Sequence, residues 1–559
     1  MRKQKNTGNK AKHWLKIGAW IVGVALLLFA GLIFFTDWLE RKLEHTVAQQ
    51  SNGVYSLQLY GFQVSPFAGA VSADSLSLVP DYARWEELRS QKKEVSRTLL
   101  DLSTGTVDLT GLNFLKMLLG KGVSLDRLAV ERPDLLLTLM QEDTTQQHKP
   151  LHQTVRGMLK GMRVGAMDIN SARLRYRKYA VTSVNLFSMQ RFDFAVNDFQ
   201  LDSQSFAASN RAYYAQNITL QGTGIQYLFP DGAYQLTSDT LRLSTAQRNL
   251  RLQQLMLTPT KAPAELARSK GKAVSYMQLD VPEIRLTGLD YPAHSRENSF
   301  EVRHVAVREP ALRVFKDKQN FKNKGAQPLP HELAQHMKAK FCLDSVEIEN
   351  GFIRYAELVP KAIKRGHINL QNLHMTLRNV SNMPRYTSDK KPAVIKATGK
   401  VMGKVQMQMT VYMPLLNKNG YHRIEGEIKS GNPEILNPIL APTAFVRFEK
   451  GYVNSGRFEV ELTNKQAVGS LRLLYQNLKI DILSKGTGGE QSFGKKVLTA
   501  LANLAVIKES NPGDKGEKPR IGKINVTRNP ENSVFSYWVD CLMDGFMSSA
   551  GLGGKAEKL

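Results

Sequence analysis

Apolar side chains recur at every second position through most of this chain, in short runs broken by proline, glycine or asparagine. Leu128 and Val130 precede a break at Pro133, and Leu135 and Leu137 follow it; Val305 and Val307 precede Pro310, with Leu312 and Val314 beyond. The same beat passes through Leu174 and Tyr176, through Ile353 and Tyr355 after Asn350-Gly351, and through Met407, Met409 and Val411. A period of two places such residues on one face of a strand and the intervening Arg, Glu and Asp on the other. Pro lacks the ladder donor and Gly accepts positive φ, so the breaks are turns or bulges. The pattern predicts strand–break–strand elements and very little helix.

These elements come in two sets. Leu109-Thr110-Gly111-Leu112 recurs unchanged as Leu286-Thr287-Gly288-Leu289, 177 residues later, and Ala129, Val130, Pro133 and Leu135 meet Ala306, Val307, Pro310 and Leu312 at the same offset. After a polar linker the offset becomes 179 and pairs Met167 with Val346 and Tyr176 with Tyr355. A fixed offset held over so long a stretch marks an internal duplication. The two copies span 53–231 and 232–411, and a further β region follows at 412–484. The expected fold is mainly β: an N-terminal transmembrane helix, then an elongated, twisted antiparallel sheet folded into a groove from two tandem repeats, with short peripheral helices and amphipathic C-terminal helices.

An apolar sheet face must be hidden against something. Helices are too few here to cover it, so the sheet closes on itself, packs on a second sheet, or leaves a trough for a greasy ligand. The fifteen alternating residues named above are the candidate lipid-facing positions of such a trough. Met407 and Met409 suit a surface of changing partners, since Met is flexible and polarisable, but core filler is the more ordinary use of such a run.

Residues 17–36 interrupt the pattern with 20 uncharged positions, including Ile17, Trp20, Leu26, Leu27, Leu28, Phe29, Phe34 and Phe35. As a helix they span roughly 30 Å, one hydrocarbon thickness. Six basic residues and no acid occupy 1–16, whereas the charges after Thr36 are mixed. That asymmetry predicts a cytoplasmic basic tail (1–16), a single-pass signal anchor (17–36), a juxtamembrane helix (37–52) and a periplasmic bulk. The last segment, 485–559, reads as a helical cap region. In it Phe535, Trp538, Leu542 and Phe546 recur at helical spacing as a candidate contact stripe, without the basic polar face of a membrane-surface helix.

The net charge of +26 is spread along the chain and suits an anionic lipid surface; no compact basic-aromatic cluster of a nucleic-acid module accompanies it. Two cysteines, Cys342 and Cys541, exclude a disulfide scaffold. His331 and His336 lie five apart, about 140° round a helix, too far to share a metal. Pro150 separates His148 from His152 in a polar loop. The run GEQSFGKK (489–496) puts Lys496 where a phosphate loop needs Ser or Thr. No GxSxG occurs and Glu86-Glu87 reads as a solvated face, so neither catalysis, a metal nor a cofactor is expected.

The runs LDRLAVERPDLLL and VRHVAVREPALRV, with GYVNSGRFEVEL and GSLRLLYQNLKIDILSK near the end, resemble the AsmA-like family of membrane-anchored periplasmic proteins, relatives of TamB. The resemblance implies recurrent hairpins, a lipid-accommodating groove, and a role in moving phospholipid between inner and outer membranes or in envelope assembly with an outer-membrane or envelope partner. A non-transporting scaffold with a closed β core that docks assembly partners is the competing expectation.

Overall fold

The computed structural model describes residues 36–65, 68–113, 116, 122–141, 150–154, 161–179, 184–323, 325–483, 507–513 and 516–552. The anchor residues Ile17 to Phe35 and the 489–496 run lie outside them. Among the described residues no helix is long and apolar enough to cross a membrane. The protein is mainly β and folds into two compact units. One comprises Met1–Gly232, Leu236–Leu252 and Leu289–Asn298; the other comprises Ala233–Gln235, Gln253–Gly288 and Ser299–Leu559.

The first unit opens on the Thr36–Gln50 helix, which buries Leu43 and Val47. Its strands are β1 (Tyr55–Tyr60), β2 (Gln63–Ser65), β3 (Ala70–Ala73), β4 (Ser75–Pro80), β5 (Thr98–Ser103), β6 (Val107–Thr110), β7 (Val123–Glu131), β8 (Asp134–Leu139), β9 (Met162–Lys178), β10 (Val184–Gln200) and β11 (Asn217–Leu228). Strands β12 (Tyr234–Ser244), β13 (Asn249–Pro259) and β14 (Ser275–Leu289) divide between the units. The second unit continues with β15 (Ser299–Arg308), β16 (Ala311–Asp317), β17 (Lys340–Leu358), β18 (Gly366–Ser381), β19 (Ala393–Val401), β20 (Val405–Met413), β21 (His422–Ile428), β22 (Val446–Leu462), β23 (Gln466–Ile482) and β24 (Gly522–Thr527).

The pairing corrects the expectation of hairpins and of a wholly antiparallel sheet. β7 and β8 do not fold back on each other; both run parallel to β9, and β15 and β16 run parallel to β17 in the same way. A parallel neighbour needs a long return connection, and residues 140–161 and 318–339 supply one in each copy. The breaks at Pro133 and Pro310 are bulges inside one long strand. Arg132 adopts φ 50° and donates its N–H to Asn170 O (2.8 Å), after which Arg173 N–H reaches Pro133 O (2.8 Å). Glu309, also at φ 50°, donates to Glu349 O (2.8 Å), and Phe352 N–H reaches Pro310 O (2.8 Å).

The neighbouring strands carry matching bulges at Ser171 and Asn350, both at φ 53°. An inserted residue reverses the parity of the alternation without moving the apolar residues to the other face. Met167 and Ile169 are thus followed by Leu174 and Tyr176, and Val346 and Ile348 by Ile353 and Tyr355.

At the C-terminal end of the second unit the apolar face is filled. Ile424, Phe458, Val460, Leu471 and Ile524 pack with Tyr537, Trp538 and Cys541 of the Val534–Met547 helix. The helix is turned relative to the expected stripe: Tyr537, Cys541 and Gly545 face inward with Trp538, while Phe535 is 69% exposed. Ser533 caps its start by accepting Ser536 N–H. It lies so close to β24 that a Cβ on Gly522 would sit 1.9 Å from Gly545 O. Two outward N–H groups of β24 are taken up at the end of this helix: Lys523 N–H donates to Ser548 Oγ (2.9 Å) and Asn525 N–H to Asp544 Oδ2 (2.8 Å).

A buried histidine joins helix and sheet. Trp538 Nε1–H donates to His422 Nε2 (3.0 Å), and His422 Nδ1 lies 2.9 Å from Gly420 O, which selects the neutral Nδ1–H form. His422 is 2% exposed, and burial pushes its pKa down to about 4, with neighbouring His331 adding to the shift. The unfolded imidazole, near 6.5, takes up a proton that the folded one refuses. Stability is therefore full above pH 6.5 and falls by about 3 kcal/mol as the pH drops to 4. Urea titrations at pH 7 and 4.5 will show this loss, and His422→Gln, which keeps an acceptor and a donor, will flatten it.

Candidate functional site

The register converts the alternating residues into continuous rows across neighbouring strands. In the first unit Val107, Val130, Ile169, Phe194 and Leu220 align across β6, β7, β9, β10 and β11, with Leu109, Leu128, Met167, Val196 and Ile218 beside them. Beyond the bulges Leu102, Leu135, Leu174, Met189 and Ile225 form one row, and Leu100, Leu137, Tyr176, Phe187 and Tyr227 the next.

The second unit repeats the design and extends it. Val305, Val346, Leu377, Ile395, Val411, Ile424 and Val460 run in register from β15 and β17 to β22. Val307, Ile348, Met375, Ala397 and Met409 lie alongside. Past the bulges, Leu279, Leu312, Ile353 and Leu370 are followed by Met277, Val314, Tyr355 and Ile368. Met407 aligns with Gly399 and Ile428.

Burial along these rows is graded. Of the candidate trough residues only Val411 is fully buried; Leu128, Val130, Leu135, Leu137, Leu174, Tyr176, Val305, Val307, Leu312, Val314, Ile353, Tyr355, Met407 and Met409 are half-buried. Along one row Val305, Val346, Leu377 and Ile395 are half-buried, and Ile424 and Val460 are 0% exposed. Neighbours within a sheet shield an apolar side chain from the sides; only a second layer above it removes the rest of its surface. The second layer is present over β20–β24, where the C-terminal helix lies. In the first unit a buried cluster of Leu43, Val47, Leu57, Leu59, Leu125 and Val164 fills the region next to the Thr36–Gln50 helix.

The opposite face is charged. Arg127 Nε meets Asp168 Oδ2 at 2.7 Å, Asp134 accepts from Arg173 and Arg175, and Arg457 Nη2 meets Glu427 Oε1 at 2.7 Å. Hydrogen bonds from Arg457 and Lys429 hold the Glu427 carboxyl down at about 2. Over these strands the second face is ion-paired, whereas at β5 and β8 the Tyr82–Ser90 helix covers it, burying Leu99 and Thr138 beside Trp85 and Leu88. Cys342 and Cys541 are free, buried thiols raised to about 12 by burial. Among the described residues no three His, Cys, Asp or Glu side chains are placed to share a metal ion.

Leu377, Phe194 and Leu220 belong to the half-buried rows as fully as the residues singled out by alternation, and Ile395 stands where the filled cluster begins. Their period of two was visible, but their place in a row depends on which bulge re-phases which strand. The helix stripe is split by the fold: Trp538 is buried, Leu542 and Phe546 pack half-buried against the filled end, and Phe535 stays outside. No family model matches the chain, and no curated protein matches it.

Proposed function

We propose that this protein is an AsmA-like, inner-membrane-anchored periplasmic carrier whose apolar sheet face holds phospholipid acyl chains, acting in lipid transport between membranes or in outer-membrane biogenesis. In this reading residues 17–36 anchor the chain with its N-terminus cytoplasmic. The observation that carries the proposal is the half-burial of the Val107–Leu220 row in the first unit and of the Val307–Met409 row in the second, against the filled end of the second unit under the C-terminal helix. Each CH₂ laid on such a face recovers about 0.8 kcal/mol. Because the rows repeat a similar surface strand after strand, a chain gains nearly the same energy at each step and moves along them without a deep trap.

The test is site-specific photo-crosslinking in the full-length protein in its membrane. Benzoylphenylalanine at Leu377 or Leu174 will capture phospholipid, whereas at Arg378 or Arg173, on the opposite face, it will not. Equal capture on both faces removes the carrier reading; capture on neither leaves the anchored scaffold with a closed core.

A further inference from the structure

One long edge of the open face in the second unit ends in charge. Lys316 follows Leu312 and Val314 in phase on β16 and stands opposite Glu357, which follows Ile353 and Tyr355 on β17. Glu357 is 7% exposed and already satisfied: Tyr355 Oη–H donates to Glu357 Oε2 at 2.7 Å, and Lys318 Nζ lies 2.5 Å from the same oxygen. The half-buried Lys316 side chain makes no hydrogen bond or ion pair among the described residues. The charged groups that act on it are Lys318 and Lys272 on one side of the balance and Glu357 and Glu531 on the other. With Lys318 committed to Glu357, a cation remains beside an apolar row with no anion of its own. Burial and Lys318 lower its pKa, a strain that an incoming anion relieves.

We infer that Lys316 receives the phosphate of a glycerophospholipid whose acyl chains lie on the Leu312–Val314 rows. This rests on the carrier reading and adds a fixed headgroup position to it. Two residues along a strand cover about 7 Å, so the ammonium stands one step beyond the last aliphatic contact, where a headgroup meets its chains. The first copy lacks the device: Leu139 occupies the place of Lys316, and Lys178 that of Glu357. The second copy alone therefore grips the headgroup.

The full-length protein is incubated with a phosphatidylglycerol bearing a diazirine in one acyl chain, irradiated, and the adducts are mapped by mass spectrometry. A charge-assisted hydrogen bond is worth enough that Lys316→Gln lowers labelling of residues 311–317 about tenfold. Lys316→Arg keeps that labelling, and adducts at Leu377 and Ile395 stay unchanged in both. A diazirine alkane without phosphate labels wild type and Lys316→Gln alike. Undiminished labelling of 311–317 in Lys316→Gln, or an equal fall at both places, overturns the headgroup site. Absence of labelling anywhere in the wild type overturns the carrier reading itself.

Discussion

Leu137→Asp and Val314→Asp, at matched positions of the two copies, will each abolish lipid carriage while the protein still folds and inserts. Both positions are half-buried, so a carboxylate there keeps much of its water as long as the face is empty. An acyl chain settling on it must strip that water from an ionised group, at several kcal/mol, which outweighs the gain from several CH₂ groups. Binding then falls by at least about 100-fold. Lipid recovered with the purified variants, measured by mass spectrometry, checks the first half of the expectation, and membrane fractionation checks the second. Unchanged lipid recovery in both variants would show that nothing slides over these rows.

The second large effect concerns stability and separates an open face from a filled one. Ile395 and Ile424 flank Val411 in the same row, on β19 and β21. Ile424 is fully buried under the C-terminal helix cluster, and Ile395 is half-buried. Ile424→Ala removes close-packed methylenes and leaves a cavity, at about 3–4 kcal/mol. Ile395→Ala loses only the lateral part of its contacts and leaves no enclosed void, so about 1 kcal/mol is expected. Urea unfolding followed by hydrogen exchange of β20–β23 peptides reads both. Equal losses would mean that the row is covered along its whole length.

Much of this architecture was legible in the alternation, because a face shared by Leu128, Val130, Leu135 and Leu137 requires strands whatever their neighbours are. The bulges were legible too, since Pro133 and Asn350-Gly351 break the beat where the apolar parity changes. Strand direction was not. Nothing local in LDRLAVERPDLLL distinguishes a hairpin from one kinked strand; the difference lies in Asn170 O and Pro133 O, which join the break to β9. Helical spacing at the C-terminal end found an amphipathic helix with Trp538, Leu542 and Phe546 toward the sheet, but not the part played by Gly545, which has no side chain and marks the closest approach to β24. The charged edge at Lys316 escaped for the same reason as the parallel strands: Glu357 lies 41 residues away and is brought alongside only by the register.

The seal that Asp544 and Ser548 place on β24 bears on how such a protein could lengthen. An unsealed border strand is a template for another, but here two of the outward amides are already bonded, so a further strand would have to displace this helix end first. Growth of the sheet at this border therefore competes with the docking of its own C-terminal helix.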